Sequence, residues 1–252
     1  MQTPTASELL SVWERGRAQP VTTQALMLLE AASPEVQREE LAKLSVGRRD
    51  ARLLALREAL FGSRLTALTA CPQCGQQFEL NMEAADIRAE TDQVAPEMLT
   101  VRSANYVAHL RLPNTEDLVA IAECMDKPTE TGAVRALLTR CLVELRRNGR
   151  KQKLRPLQSM PQALIDVVAA EMERADPQAN VQLDLQCGDC GHRWLSTFDI
   201  VMFLWIEIDH WAKQILGEVC TLASAFGWRE ADILAMSAYR RQLYLEMLAE
   251  TT

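Results

Sequence analysis

Two short stretches decide the fold, Cys71-Pro72-Gln73-Cys74-Gly75 and Cys187-Gly188-Asp189-Cys190-Gly191, and they are near repeats of one design. Each places two cysteines three positions apart, with a glycine directly after the second cysteine. Such a turn directs two thiolates at one ion, and the glycine relieves the positive φ that lets backbone N–H groups point at sulfur. The sequence therefore predicts one structural Zn²⁺ per chain, with the ligands Cys71, Cys74, Cys187 and Cys190.

Paired cysteines have other uses, and these fit the sequence less well. A redox C-x-x-C pair belongs in a βαβ setting, and in a reducing compartment paired cysteines are metal ligands more often than disulfides. A catalytic zinc keeps an open position and usually has histidine or carboxylate ligands, whereas four thiolates fill the tetrahedron. His192 directly follows the second pair, but we assign it no metal role because four cysteines are present.

The surroundings of the two pairs predict a zinc ribbon that is split in the sequence. The segments 77–80 and 193–196 alternate like the arms of β-hairpins, and the strand at 181–185 should pair with a counterpart on either side of Cys71. Cys187 lies 113 positions after Cys74 (187 − 74). Closing such a loop costs roughly 4 kcal/mol, against about 10–16 kcal/mol that a structural zinc contributes.

We therefore expect an α+β fold, mainly helical, in which the split ribbon encloses an inserted α+β subdomain. Apolar residues at helical spacing dominate the beginning and the end of the chain. The predicted segments are N-terminal helices at 1–64, the ribbon at 65–82 plus 181–198, the inserted subdomain at 83–180 and C-terminal helices at 199–252.

Within these segments the pattern predicts individual elements. Capping residues, turn dipeptides and hydrophobic periodicity locate most of the boundaries. Helices are expected near 22–32, 34–44, 48–61, 130–146 and 164–172, and another begins at Asn114 or Thr115. A hairpin is expected at 98–112, the turn dipeptide Asn148-Gly149 fits either a second hairpin or a solvated loop, and the C-terminal helices break at Gly227 and near Ser237.

Composition narrows the function classes. Hydrophobic residues make up 48% and charged residues 24% of the 252 residues, which is typical of a soluble globular protein. The net charge of −7 argues against nucleic acid as a partner. The sequence contains neither a signal peptide pattern nor an apolar run long enough to span a bilayer. We expect a cytoplasmic protein with no membrane partner.

No catalytic constellation is evident. His109 and His210 have no Ser, Cys or carboxylate partner at a recognisable spacing, and no phosphate-binding glycine loop occurs. Cys124, Cys141 and Cys220 lie in helical patterns, where free cysteines usually act as small buried hydrophobes. The sequence therefore predicts a protein that is not an enzyme and has no small-molecule substrate.

Two stretches leave their roles open. The basic segment 146–155 is either a solvated loop, which we favour, or a contact for RNA or an acidic partner. The segment 203–211 places large apolar groups around most of a helix, so it is covered either by the ribbon and N-terminal helices or by a partner protein.

Several segments together resemble the baseplate hub assembly proteins of contractile-tailed phages and related contractile injection systems. They are Val46 to Arg57 followed by Phe61-Gly62 and the first cysteine pair, the L-P-x-x-x-D-L segment Leu112 to Leu118, and the ending from Gly227 to Ser237. The resemblance implies a chaperone-like assembly factor or minor component of the baseplate hub, acting in the cytoplasm of the producing cell. It implies hub or spike proteins as partners and brings no catalytic residues.

Two rival hypotheses belong to other classes. A nucleic-acid-associated zinc ribbon in transcription or RNA handling would use residues 146–155 as its contact, and the acidic net charge argues against it. An enzyme with a zinc-activated water would need fewer than four thiolate ligands on the metal.

Overall fold

A computed structural model of the chain describes residues 1–89, 96–124, 130–152 and 160–251. These residues form two compact units, one built from Met1–Val36 and Ile200–Thr252 and the other from Gln37–Asp199. The first unit consists of helices and the second combines helices with antiparallel sheets. The expected mixed α and β composition is therefore confirmed, whereas the division into four segments stays a prediction.

The helices and strands of the described residues are numbered in chain order. The helices are α1 (Ala6–Gly16), α2 (Val21–Ala32), α3 (Arg38–Ala42), α4 (Val46–Phe61), α5 (Ala84–Ile87), α6 (Thr115–Cys124), α7 (Glu130–Cys141), α8 (Gln162–Ala175), α9 (Ile200–Phe226), α10 (Glu230–Leu234) and α11 (Ala238–Thr251). The strands are β1 (Arg64–Ala70), β2 (Gln77–Glu83), β3 (Leu99–Ser103), β4 (Tyr106–Leu110), β5 (Leu142–Arg147), β6 (Arg150–Lys151), β7 (Val181–Gln186) and β8 (Arg193–Phe198).

In the first unit, α1 and α2 pack against α9. Helix α1 starts with a capping box, in which the Thr5 hydroxyl accepts from the Glu8 amide and the Glu8 carboxylate accepts from the Thr5 amide. The indole N–H of Trp13 donates to Asp209 over 2.9 Å. Gly16 leaves room for the ring of Trp205, because a Cβ at this position would lie 2.2 Å from it. Aromatic residues from the predicted segment 203–211 thus pack partly within this unit.

The end of α9 carries the two C-terminal helices. Leu222 and Ile233 are fully buried there, with Trp228 and Tyr244 packed against them. The buried guanidinium of Arg241 donates to Glu218 over 3.0 Å, which ties α11 to α9. Breaks between α9 and α10 and between α10 and α11 agree with those predicted at Gly227 and Ser237.

The second unit contains a four-stranded antiparallel sheet with the order β3-β4-β5-β6. One face of this sheet packs against α8, and the core between them includes Val101, Ala108, Leu145, Leu164 and Val168. The Asn148-Gly149 turn links β5 to β6, and both residues have positive φ, 50° and 75°. Both residues of a two-residue type I′ hairpin turn need this conformation. The hairpin predicted at 98–112 is therefore confirmed, and the stretch around Asn148 forms a hairpin rather than the favoured solvated loop.

Two helix predictions were wrong. The helix expected at 130–146 ends at Cys141, and residues 142–147 form β5, because Leu145 lies opposite Ala108 in a half-buried sheet. Strand pairing here overrides the helical propensity of Leu, Glu and Arg. The helix expected at 34–44 shrinks to α3, and α1 was not predicted at all.

The L-P-N-T-E-D-L segment forms the start of α6. The Asn114 side chain accepts from the Asp117 amide and the Asp117 carboxylate accepts from the Asn114 amide, so Asn114 is the cap. Asp117 is fully buried and also accepts from Arg111 and Arg140. Although burial raises the pKa of Asp117, these hydrogen bonds outweigh it and lower the pKa.

No helix within the described ranges combines the length and the apolar character needed to cross a bilayer.

Candidate metal centre

Each cysteine pair forms the turn of its own antiparallel hairpin. Strands β1 and β2 pair from Arg64↔Glu83 to Ala70↔Gln77, and β7 and β8 pair from Val181↔Phe198 to Gln186↔Arg193. The prediction that the strand before Cys187 pairs with one beside Cys71 was therefore wrong. Neighbouring strands joined by a short turn pair more readily than strands from distant parts of the chain.

The two turns have the same backbone hydrogen bonds. In the first, the Cys71 amide donates to the Gln76 carbonyl over 2.9 Å and the Gly75 amide donates to the Cys71 carbonyl over 2.9 Å. In the second, the Cys187 amide donates to the His192 carbonyl over 2.9 Å and the Gly191 amide donates to the Cys187 carbonyl over 3.0 Å.

The glycine of each turn has the conformation that the sequence predicted. Gly75 has φ of 75° and Gly191 has φ of 72°, in the left-handed region that favours glycine. The two C-x-x-C stretches are thus structural repeats as well as sequence repeats.

The turns bring the four thiols into one cluster. The Sγ atoms of Cys71 and Cys190 lie 3.6 Å apart, and those of Cys74 and Cys187 lie 3.7 Å apart. All four sulfurs lie within 4.8 Å of one another. A tetrahedral ion with metal–sulfur bonds of about 2.3 Å requires sulfurs about 3.8 Å apart, whereas a disulfide requires about 2.0 Å. The donor set therefore fits a tetrahedral metal ion.

Aromatic packing joins the two hairpins beside the cluster. The rings of Phe78 on β2 and Trp194 on β8 meet edge to face with centroids 5.9 Å apart. The ring of His192 stacks on Trp194 at 5.8 Å. The histidine next to the second pair thus packs against an aromatic ring, and the group among the described residues that could hold a metal ion consists of the four cysteines.

The thiols of the cluster differ in pKa. Burial raises the pKa of Cys71, but the amides of Cys74 and Gln73 and the neighbouring thiols bring it down to about 7. For Cys74, the Gln76 amide lowers the pKa, but burial and the three other thiols raise it to about 12. The cluster by itself accommodates a first thiolate far more readily than further ones. A divalent cation would supply the charge that the remaining thiolates need.

Comparison with known proteins identifies the family. Residues 21–205 match the model of a family described as T4 bacteriophage base plate protein, which is more than half of the chain and includes both cysteine pairs. The chain belongs to this base plate protein family. No curated protein and no solved structure gives a significant match.

None of the other described cysteines and histidines of this base plate protein belongs to the four-cysteine group. Cys141 is buried as expected, but Cys220 is exposed, because it faces away from the core side of α9. The side chain of Cys124 lies outside the described residues. His109 forms a hydrogen bond with Thr100, and His210 with the carbonyl of Ile206.

The basic segment 146–155 is placed only in part. Arg146 and Arg147 end β5, and Arg150 and Lys151 form β6, whereas residues 153 and 155 lie outside the described ranges.

Sequence reasoning missed the ion network around Asp117, although the spacing of Asn114 and Asp117 is that of a capping box.

Proposed function

We propose that this base plate protein is a non-enzymatic assembly factor or minor structural component of the baseplate hub in a phage-tail-like contractile injection system. It binds hub or spike proteins in the cytoplasm of the producing cell. The match of residues 21–205 to the base plate protein family carries the proposal. The closed four-thiol cluster supports a structural role for the metal, since four thiolates leave no open position for a substrate.

The cluster holds one structural Zn²⁺, and the two hairpins with their shared ion form a split zinc ribbon. The sulfur separations of 3.6 and 3.7 Å support four-coordinate binding. Thiolate ligands in a tetrahedral arrangement are typical of zinc. The expected result of native mass spectrometry is a mass increase of one zinc per chain.

The C-terminal helices contact the partner. Tyr239, Leu243 and Met247 on α11 are 75%, 37% and 57% exposed and recur every four residues, so they form one stripe along the helix. The opposite side of α11 carries Arg241, Tyr244 and Leu245 against the core. An exposed stripe with an aromatic residue is typical of a protein interface.

Co-expression with candidate hub and spike proteins from the same producing organism tests the proposal. The full chain, purified by an affinity tag, should capture a hub or spike protein, whereas the variant Tyr239→Glu/Met247→Glu should capture at least about tenfold less, because it places two charges in an apolar contact.

The matched control is Gln242→Glu/Ala249→Glu, which adds the same charge at exposed positions on another side of α11. The control should bind like the unaltered chain. Absence of any captured baseplate protein with the unaltered chain would overturn the proposed function, and equal loss in both variants would overturn the role of the stripe.

A further inference from the structure

The outer face of the four-stranded sheet carries a row of cations. Opposite the face that packs on α8, the cross-strand register aligns Arg102, Val107, Arg146 and Lys151 on β3, β4, β5 and β6. The side chains of Arg146 and Lys151 are 50% and 70% exposed, and Arg102 is also exposed. Neighbouring strands lie about 4.8 Å apart, so the row is about 14 Å long.

The tip of the sheet carries two more cations, which the alternation of side chains along a strand places on the opposite face from the row. Arg147 and Arg150 lie opposite each other beside the Asn148-Gly149 turn, and both are exposed. Arg147 also lies over the ring of Tyr106 at 5.4 Å. Five cations therefore lie near one end of this sheet, three of them in the row on the outer face, on a chain whose net charge is −7.

The face around the row also contains one carboxylate and two valines. The Glu144 carboxylate on β5 accepts from Arg146 over 2.5 Å and lies 4.0 Å from the ammonium group of Lys151, so it holds both side chains close to β5. Val107 is half-buried at the centre, and Val143, which has no partner in the β4–β5 register, is 47% exposed. The face thus combines Arg146 and Lys151, both paired with Glu144, with small apolar groups.

We infer that this outer face, defined by Arg102, Val107, Arg146 and Lys151, docks an acidic surface of another protein. The inference rests on the proposed function, in which the chain binds other baseplate proteins. Arginine forms bidentate hydrogen bonds with carboxylates and is enriched at protein interfaces, where apolar groups fill the centre.

A phosphate backbone fits this face less well than an acidic protein does. Glu144 already compensates two of the cations, so the row offers a phosphate backbone few of the uncompensated charges that counterion-driven binding needs. Nucleic-acid binding also needs a basic field that reaches beyond single contacts, whereas this chain is acidic as a whole.

Binding of a fluorescein-labelled Glu-rich peptide to the full chain, measured by fluorescence anisotropy at several salt concentrations, tests the inference. The unaltered chain should bind the peptide, and added salt should weaken the binding. The variant Arg102→Glu/Lys151→Glu should bind about tenfold more weakly or worse, because it replaces two attractions by two repulsions.

The control variant is Arg52→Glu/Arg229→Glu, which makes the same charge change at two exposed arginines on α4 and just before α10. It should keep at least half of the affinity, and circular dichroism should show that both variants fold. Equal weakening in the control, or no binding of the peptide to the unaltered chain, would overturn the inference.

An oligonucleotide of similar charge is the second probe. Tighter binding of the oligonucleotide than of the peptide, lost in the Arg102→Glu/Lys151→Glu variant, would also overturn it and would assign the face to nucleic acid. These measurements use the purified chain and no baseplate protein, so their failure is distinguishable from failure of the co-expression experiment.

Discussion

Replacing an exposed cysteine of the cluster should separate the contribution of the metal from that of packing. Cys74 and Cys190 are exposed, whereas Cys71 and Cys187 are buried. A serine at position 74 or 190 removes one thiolate ligand without opening a cavity in a core. Cys220→Ser is the matched control, since Cys220 is exposed but lies outside the cluster.

The magnitude follows from the topology of the two hairpins. Isolated two-stranded hairpins are marginal in water, and here only a few of their side chains, such as Leu65 and Leu185, are buried. Cys74 and Cys187 lie 113 positions apart. Without a shared ion, the loop-closure cost of about 4 kcal/mol is no longer offset at this site.

We therefore expect Cys74→Ser and Cys190→Ser to lose the zinc that we propose for the cluster and to open both hairpins locally. An opening free energy lower by about 4 kcal/mol corresponds to amide hydrogen exchange about a thousandfold faster in β1, β2, β7 and β8. Native mass spectrometry reports the metal and exchange measured by mass spectrometry reports the opening. A metal-free unaltered chain, or unchanged protection in the serine variants, would refute the reasoning.

Three further predictions concern the packing of the second unit. Burial raises the pKa of the Asp50 carboxyl to about 6 despite the neighbouring Arg49, so ionisation of Asp50 opposes folding. The chain should therefore lose stability as the pH rises from about 4 to 6. Asp50→Asn should remove that loss, which in chemical denaturation amounts to up to about 3 kcal/mol at neutral pH. A variant that keeps the loss would show that another group causes it. Asp117→Asn should lower the free energy of unfolding by about 3 kcal/mol in the same assay, because Arg111 and Arg140 lose their shared carboxylate. The control Glu171→Gln, which removes an exposed pair with Arg174, should lower it by less than about 1 kcal/mol. Gly47→Ala should lower the melting temperature, since the added Cβ would lie 2.2 Å from Asp176. The control Gly217→Ala should preserve or raise the melting temperature, because a Cβ added there meets no neighbouring side chain within 4 Å. Equal shifts in the two variants would contradict this packing argument.

The candidate site was the most predictable part of the chain. Spacing and the trailing glycine predicted that the two C-x-x-C stretches adopt one local design, and both turns do so with matching hydrogen bonds. Such local geometry depends on a few neighbouring residues, so a single sequence contains most of the necessary information. The strand partners were less predictable because pairing depends on which segments meet in space.

The errors arise where tertiary contacts outweigh local preference. Residues 142–146 have the composition of a helix, but Leu145 gains burial opposite Ala108 in a sheet. Cys220 lies among apolar neighbours in the sequence, yet the core side of α9 is formed by Val219 and Leu222. The network of Asp117 with Arg111 and Arg140 joins a loop and two helices, and a sequence pattern alone does not bring them together.

The separation of the two cysteine pairs also has a consequence during synthesis on the ribosome. At about 5–20 residues per second, residues 187–190 follow the first pair by roughly 6–23 s. The hairpin of β1 and β2 needs only its own turn and can form at once, on the microsecond timescale. Its two thiols meet the second pair only after the ribosome has synthesised the four-stranded sheet and α8, so the nascent chain assembles its four-thiol cluster late, after most of the second unit exists.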